Sequence, residues 1–71
     1  MRFWNRDHKR KFILEAIRYG EKVSLSELID RLAARGYRPS RHELALFIRN
    51  NMLYRYLAVE KRNGINLYRR I

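Results

Sequence analysis

Tyr56-Leu57-Ala58-Val59-Glu60-Lys61-Arg62-Asn63-Gly64-Ile65-Asn66-Leu67-Tyr68-Arg69 is the stretch that decides the fold. Asn-Gly favours a two-residue type I′ turn, because both central residues need a positive φ. Residues 54–62 before it are rich in Tyr, Leu and Val, and residues 65–71 after it alternate in the same way. The turn therefore predicts a β-hairpin in which Arg62 faces Ile65, Glu60 faces Leu67 and Val59 faces Tyr68. Leu57, Val59 and Tyr68 are expected on the core side; a slip of one residue would bury Tyr56, Ala58 and Leu67 instead. Lys61, Arg62, Asn63 and Gly64 occupy the tip.

Ahead of the hairpin the apolar period is helical. Residues 41–51 form the nearest segment, with Leu44, Phe47, Ile48 and Met52 on its inner face. His42, Leu46, Arg49 and Asn50 lie opposite, with Ala45 at the margin. Ser40 followed by Glu43 reads as a capping box at its start. Ser24 and Glu27 form a second such pair, heading a helix over 25–35 with Leu25, Leu28, Ile29, Leu32 and Ala33 inward. Gly36 and Pro39 separate the two helices. Val23-Ser24-Leu25 reads as a short extended bridge. A first helix is expected over 7–19, with Phe12, Ile13, Ala16, Ile17 and Tyr19 on one arc and Gly20 as its stop. Tyr19, Tyr37 and Tyr68 fall at core positions, and Tyr54 and Tyr56 are expected as surface rings.

The chain has 71 residues, enough for one small domain with a thin core, and residues 1–6 form a candidate basic arm. Seventeen Lys and Arg stand against seven Asp and Glu, a formal charge of +10. Residues 2–11 carry a net +4, residues 12–37 none, residues 38–51 +2 and residues 52–71 +4. Such an excess points to a polyanion, and its segregation points to a neutral scaffold between basic contact regions. The longest apolar run is the five residues Leu44-Ala45-Leu46-Phe47-Ile48, too short for a membrane span. With no cysteine and two histidines, neither a disulfide nor a metal site is expected, and no cofactor. No Ser-His-Asp spacing, carboxylate pair or phosphate-cradling glycine loop marks an enzyme or a small-molecule substrate.

The order helix, short strand, helix, tight turn, helix, basic hairpin resembles the winged helix-turn-helix family, an α+β fold of three helices with a C-terminal hairpin wing. The resemblance runs from about Asp7 to Ile71. It is carried by Val-Ser-Leu-Ser-Glu-Leu-Ile (23–29), Gly-Tyr-Arg-Pro-Ser (36–40) and the hairpin, although the connection at 36–40 is longer than the shortest turns in the family. In size and lack of cysteine the chain is similar to small archaeal or archaeal-virus regulators. The resemblance implies a cytoplasmic, nucleoid-associated regulator of transcription that binds double-stranded DNA. Arg41, His42, Ala45, Leu46, Arg49 and Asn50 would enter the major groove, while Lys61, Arg62 and Asn63 would make the wing contact. Arg2, Arg6, Arg10, Arg38, Ser40 and Arg55 are candidates for the DNA backbone. An Arg fork matches guanine O6 and N7, and an Asn amide matches adenine N6 and N7.

Two other readings stay open. One is an architectural protein, or a winged helix that binds RNA or a polymerase. The other is a protein-interaction module that uses Leu46, Phe3 and Trp4. A homodimer is also open, and would reuse Leu46, the N-terminal segment or the wing.

Overall fold

The structure, a computed structural model, describes residues 2–71. Its elements are α1 (Arg6–Leu14), β1 (Lys22–Ser24), α2 (Leu25–Ala34), α3 (Arg41–Asn51), β2 (Leu57–Arg62) and β3 (Ile65–Arg70). The three strands form an antiparallel sheet in the order β1-β3-β2.

The hairpin has the register that the Asn-Gly turn requires. Arg62 pairs with Ile65, Glu60 with Leu67 and Val59 with Tyr68, and Asn63 and Gly64 sit at φ 52° and 79°. Leu57 and Tyr68 are buried and Val59 is half-buried on the same face. Strand β2 begins three residues later than expected. Residues 54–56 instead form a turn in which the Tyr56 and Leu57 N–H groups donate to the Met52 carbonyl. β1 docks on the other side of β3, with Val23 opposite Tyr68.

Ser24 caps α2 as a full box. Its Oγ accepts from the Glu27 N–H at 3.1 Å, and the Glu27 carboxylate accepts from the Ser24 N–H. At α3 only the forward half forms, Ser40 Oγ accepting from the Glu43 N–H at 3.1 Å. The core is a single cluster: Ile13, Leu14 and Ile17 from the first segment, Val23, Leu28 and Leu32, then Leu44, Ile48 and Met52, closed by Leu57 and Tyr68.

Helix α1 departs most from expectation. It ends at Leu14, not Tyr19, and residues 15–17 tighten into turns in which Ala16 and Ile17 donate to Ile13 and Leu14. The carbonyls that a helix end leaves unpaired are taken by arginines from elsewhere. Arg35 donates to the Phe12 carbonyl at 2.8 Å, Arg70 to those of Leu14 and Ile17 at 3.0 Å, and Arg31 to that of Ala16 at 2.9 Å. Tyr19 is therefore not a core residue. It is 76% exposed, and the Arg70 guanidinium stacks on its ring at 4.0 Å.

Arg31 also grips Glu21 with both ends of its fork, at 2.7 and 2.8 Å. That bond, together with the Arg18 N–H, holds the Glu21 carboxyl down at about 2. A carboxyl ionised more readily folded than unfolded adds stability above its ordinary value of 4.5 and loses that contribution as pH falls toward 2. Urea midpoints measured across this window should fall with pH, and Glu21→Gln should flatten the fall. Ile48, fully buried, should cost about 2–5 kcal/mol on truncation to Ala. Ser24→Ala, which removes a cap alone, should cost about 1 kcal/mol in the same urea measurement.

Candidate nucleic-acid interface

Helix α3 turns Leu44, Ile48 and Met52 inward, which by helical geometry leaves the opposite arc to solvent. His42, Arg49 and Asn50 are exposed there, Leu46 is 42% exposed and Ala45 is half-buried at the margin. Among the described residues, the side chains of His42, Arg49 and Asn50 make no hydrogen bond or ion pair. This face keeps its donors and acceptors free.

Arg41 is different. It stands exposed in the first turn of α3, but its Nη1 donates to Ser26 Oγ at 2.6 Å and ties the start of α3 to the start of α2. Arg41 and Ala45 line a hollow together with Gly64, Ile65, Asn66 and Tyr68 of the hairpin and Ser24, Leu25 and Ser26 at the start of α2. The hairpin tip and the first turns of α3 thus share a rim. Burial raises the Tyr68 phenol above its ordinary pKa.

The pleat separates the two basic residues of the tip. Lys61 pairs with Asn66, two residues along from the Val59–Tyr68 pair, so both project on the helix side of the sheet. Arg62 projects on the outer side with Glu60, its Nη2 3.5 Å from Oε1. Glu60 is held more closely by Lys22, at 2.7 Å, and the Lys22 ammonium keeps its carboxyl below the usual range. Asn63 is exposed at the turn.

Of the residues proposed for a nucleic-acid backbone, Arg2, Arg6, Arg38 and Arg55 are exposed and without a side-chain partner among the described residues. Ser40 is exposed, but its hydroxyl is engaged as the α3 cap. Arg10 is not part of this free surface. It pairs with Asp7 at 2.7 Å and lies over the Tyr56 ring at 4.6 Å, which leaves that ring half-buried instead of a free surface ring.

The N-terminal stretch read as a basic arm is tied to the domain. Met1 lies outside the described residues, but Phe3 packs edge-on against Phe12, Tyr37 and His8 at centroid distances of 5.4, 4.8 and 5.3 Å. Lys9 sits among the rings of Phe3, Tyr37 and Phe47, 4.5 Å from the last. Asn5 caps α1, its Oδ1 accepting from the His8 N–H at 2.9 Å. Phe3, Trp4 and Leu46 therefore do not form one exposed apolar contact, because Phe3 is occupied.

One residue of the α3 face was missed. Glu43 is exposed in the first turn, and its carboxylate has no bonded partner among the described residues. It lies seven residues before Asn50, two turns away on the same side of the helix. Its place in a Ser-x-x-Glu pattern made it read as a capping partner, whereas here only its N–H serves the cap. A carboxylate on such a face can accept from the cytosine amino group.

Among the described residues no group of three His, Cys, Asp or Glu could hold a metal ion, and no helix is long and apolar enough to cross a membrane. Compared with protein-family models, curated proteins and solved structures, the chain matches none.

Proposed function

We propose that this chain binds double-stranded DNA as a winged helix-turn-helix regulator of transcription, with α3 in the major groove and the β2–β3 hairpin against the neighbouring backbone. The element order and the sheet order β1-β3-β2 are compatible with that layout. The observation that carries the reading is the α3 face itself. His42, Arg49 and Asn50 stand free on a helix whose first turn faces the basic hairpin across one hollow, in a chain of charge +10. An 11-residue helix is about 16 Å long, and the major groove is about 12 Å wide, so the exposed arc can lie along the base edges.

The parts divide the work. Arg49 offers a two-pronged donor to guanine, Asn50 a donor and acceptor to adenine, and Leu46 an apolar contact for a thymine methyl. Lys61, on the helix side of the hairpin, supplies charge to a phosphate, as do Arg38 and Arg55 from the flanks of α3. Arg62 contributes less, since Glu60 shares its charge on the outer side of the sheet.

If about five to seven phosphates are neutralised, log K should fall against log salt with a slope of about −5 to −6. In titrations against a panel of duplexes recovered by binding-site selection, Arg49→Ala should erase preference at one base pair, worth about 1–3 kcal/mol, and leave weak binding to the rest. Lys61→Ala should weaken every duplex alike and by more than Arg62→Ala. Equal losses on every sequence for both Arg49→Ala and Lys61→Ala, or tighter binding to A-form RNA than to any duplex DNA, would overturn the reading.

A further inference from the structure

Trp4 is the single tryptophan of the chain and is 90% exposed, while the neighbouring Phe3 is packed. Leaving an indole in water forgoes one of the largest apolar burials any side chain offers. The ring is nevertheless carried on a fixed backbone. Phe3 is anchored among aromatic rings on one side, and Asn5 caps α1 on the other. The Trp4 backbone N–H donates to His8 Nδ1 at 3.2 Å between them. An exposed ring on an anchored backbone loses little freedom when something stacks on it.

Its surroundings are polar and cationic. Trp4 and Lys11 line an open hollow on the outward side of α1 together with Asp7 and His8. Lys11 is exposed with no partner among the described residues, as are Arg2 and Arg6 beside Trp4 in sequence. Asp7, the one carboxylate there, is neutralised by Arg10 at 2.7 Å. A free aromatic plane with an unpaired cation in the same hollow suits an unpaired nucleotide, the ring stacking on a base and the cation meeting its phosphate.

We propose that Trp4 and Lys11 form a single-strand nucleic-acid site, in which the indole stacks on one unpaired base and the Lys11 ammonium meets an adjoining phosphate. No residue of the α3 face lines this hollow, so the site does not rest on the duplex reading.

The test uses the full chain and two probes of equal length, an oligothymidylate and its abasic deoxyribose-phosphate counterpart. Trp4 is the only tryptophan reporter, so its fluorescence should be quenched saturably by oligothymidylate and less by the abasic strand. In anisotropy titrations with labelled strands, the native chain should prefer the base-bearing probe by roughly tenfold, the scale of one stacked base. Trp4→Ala should bind both probes alike with an unchanged circular dichroism spectrum, while Trp4→Phe should keep much of the preference. Lys11→Ala should weaken both probes and lessen the salt dependence. Arg49→Ala should leave the preference for the base-bearing probe intact, so failure of duplex recognition and failure of this site are read separately. Equal affinity of the native chain for both probes, or a preference that survives in Trp4→Ala, would overturn the site. So would stronger quenching by phosphatidylglycerol vesicles than by oligothymidylate at the same salt.

Discussion

The end of α1 is closed by charge brought from a distance. A helix that stops leaves its last carbonyls unpaired, and a buried or half-buried terminus must find donors for them. Here the donors are guanidinium groups. Arg31 and Arg35 reach down from α2, and Arg70 reaches across from β3. Arginine suits this task because its fork delivers several N–H groups in fixed directions while its stem covers apolar surface. Arg31 binds a carbonyl and both oxygens of Glu21 at once; Arg35 binds a carbonyl and Glu15 and lies over the Phe12 ring at 4.0 Å. These contacts set α1 against α2 and β3. They therefore set the helical layer against the sheet, and through the sheet the place of the hairpin beside α3.

This use of arginine divides the cations of the chain into two populations. Arg10, Arg31, Arg35 and Arg70 are turned inward onto carbonyls, carboxylates and rings, and Lys9 sits within an aromatic box. Arg49, Arg38, Arg55, Arg2, Arg6, Lys11, Lys61, Arg18 and Arg69 are left to solvent. Formal charge overstates what a polyanion would meet, because a cation stacked on a ring or forked onto a carboxylate has already spent much of its field locally. What remains outward lies on α3, on the hairpin, on α1 and the residues before it, and in the connections at Arg18, Arg38 and Arg55.

Where a structural decision is made by neighbours in the chain, the sequence was legible. Asn63-Gly64 dictates its own backbone conformation, and the register of every pair in the hairpin follows from it. Ser24 and Glu27 are three residues apart and close their own box, and the bounds of α3 follow from Ser40 and an unbroken helical period. The exposed arc of α3 was readable for the same reason. Decisions made across the fold were hidden. The stop of α1 depends on Arg70, more than fifty residues away. Phe3 and Trp4 are adjacent and alike in type, yet one is packed and the other free, because only Phe3 comes within reach of Tyr37. Lys61 and Arg62 look equivalent in sequence and are parted by the pleat. Arg10 reads as one more cation of a basic run until Tyr56 is placed beneath it.

Strand β3 follows both of its partners in the chain and yet lies between them. A ribosome would release β1, all three helices and β2 before the strand that joins β1 to β2 emerged. Until then β1 has nothing to pair with, the inner face of the sheet is unmade, and the final turn of α1 waits on Arg70 for its donors. Contacts of this sequence separation are slow to close, since loop entropy must be overcome before any bond is gained. Acquisition of the native sheet is thereby deferred until β3 is available, as one concerted event rather than a progression along the chain.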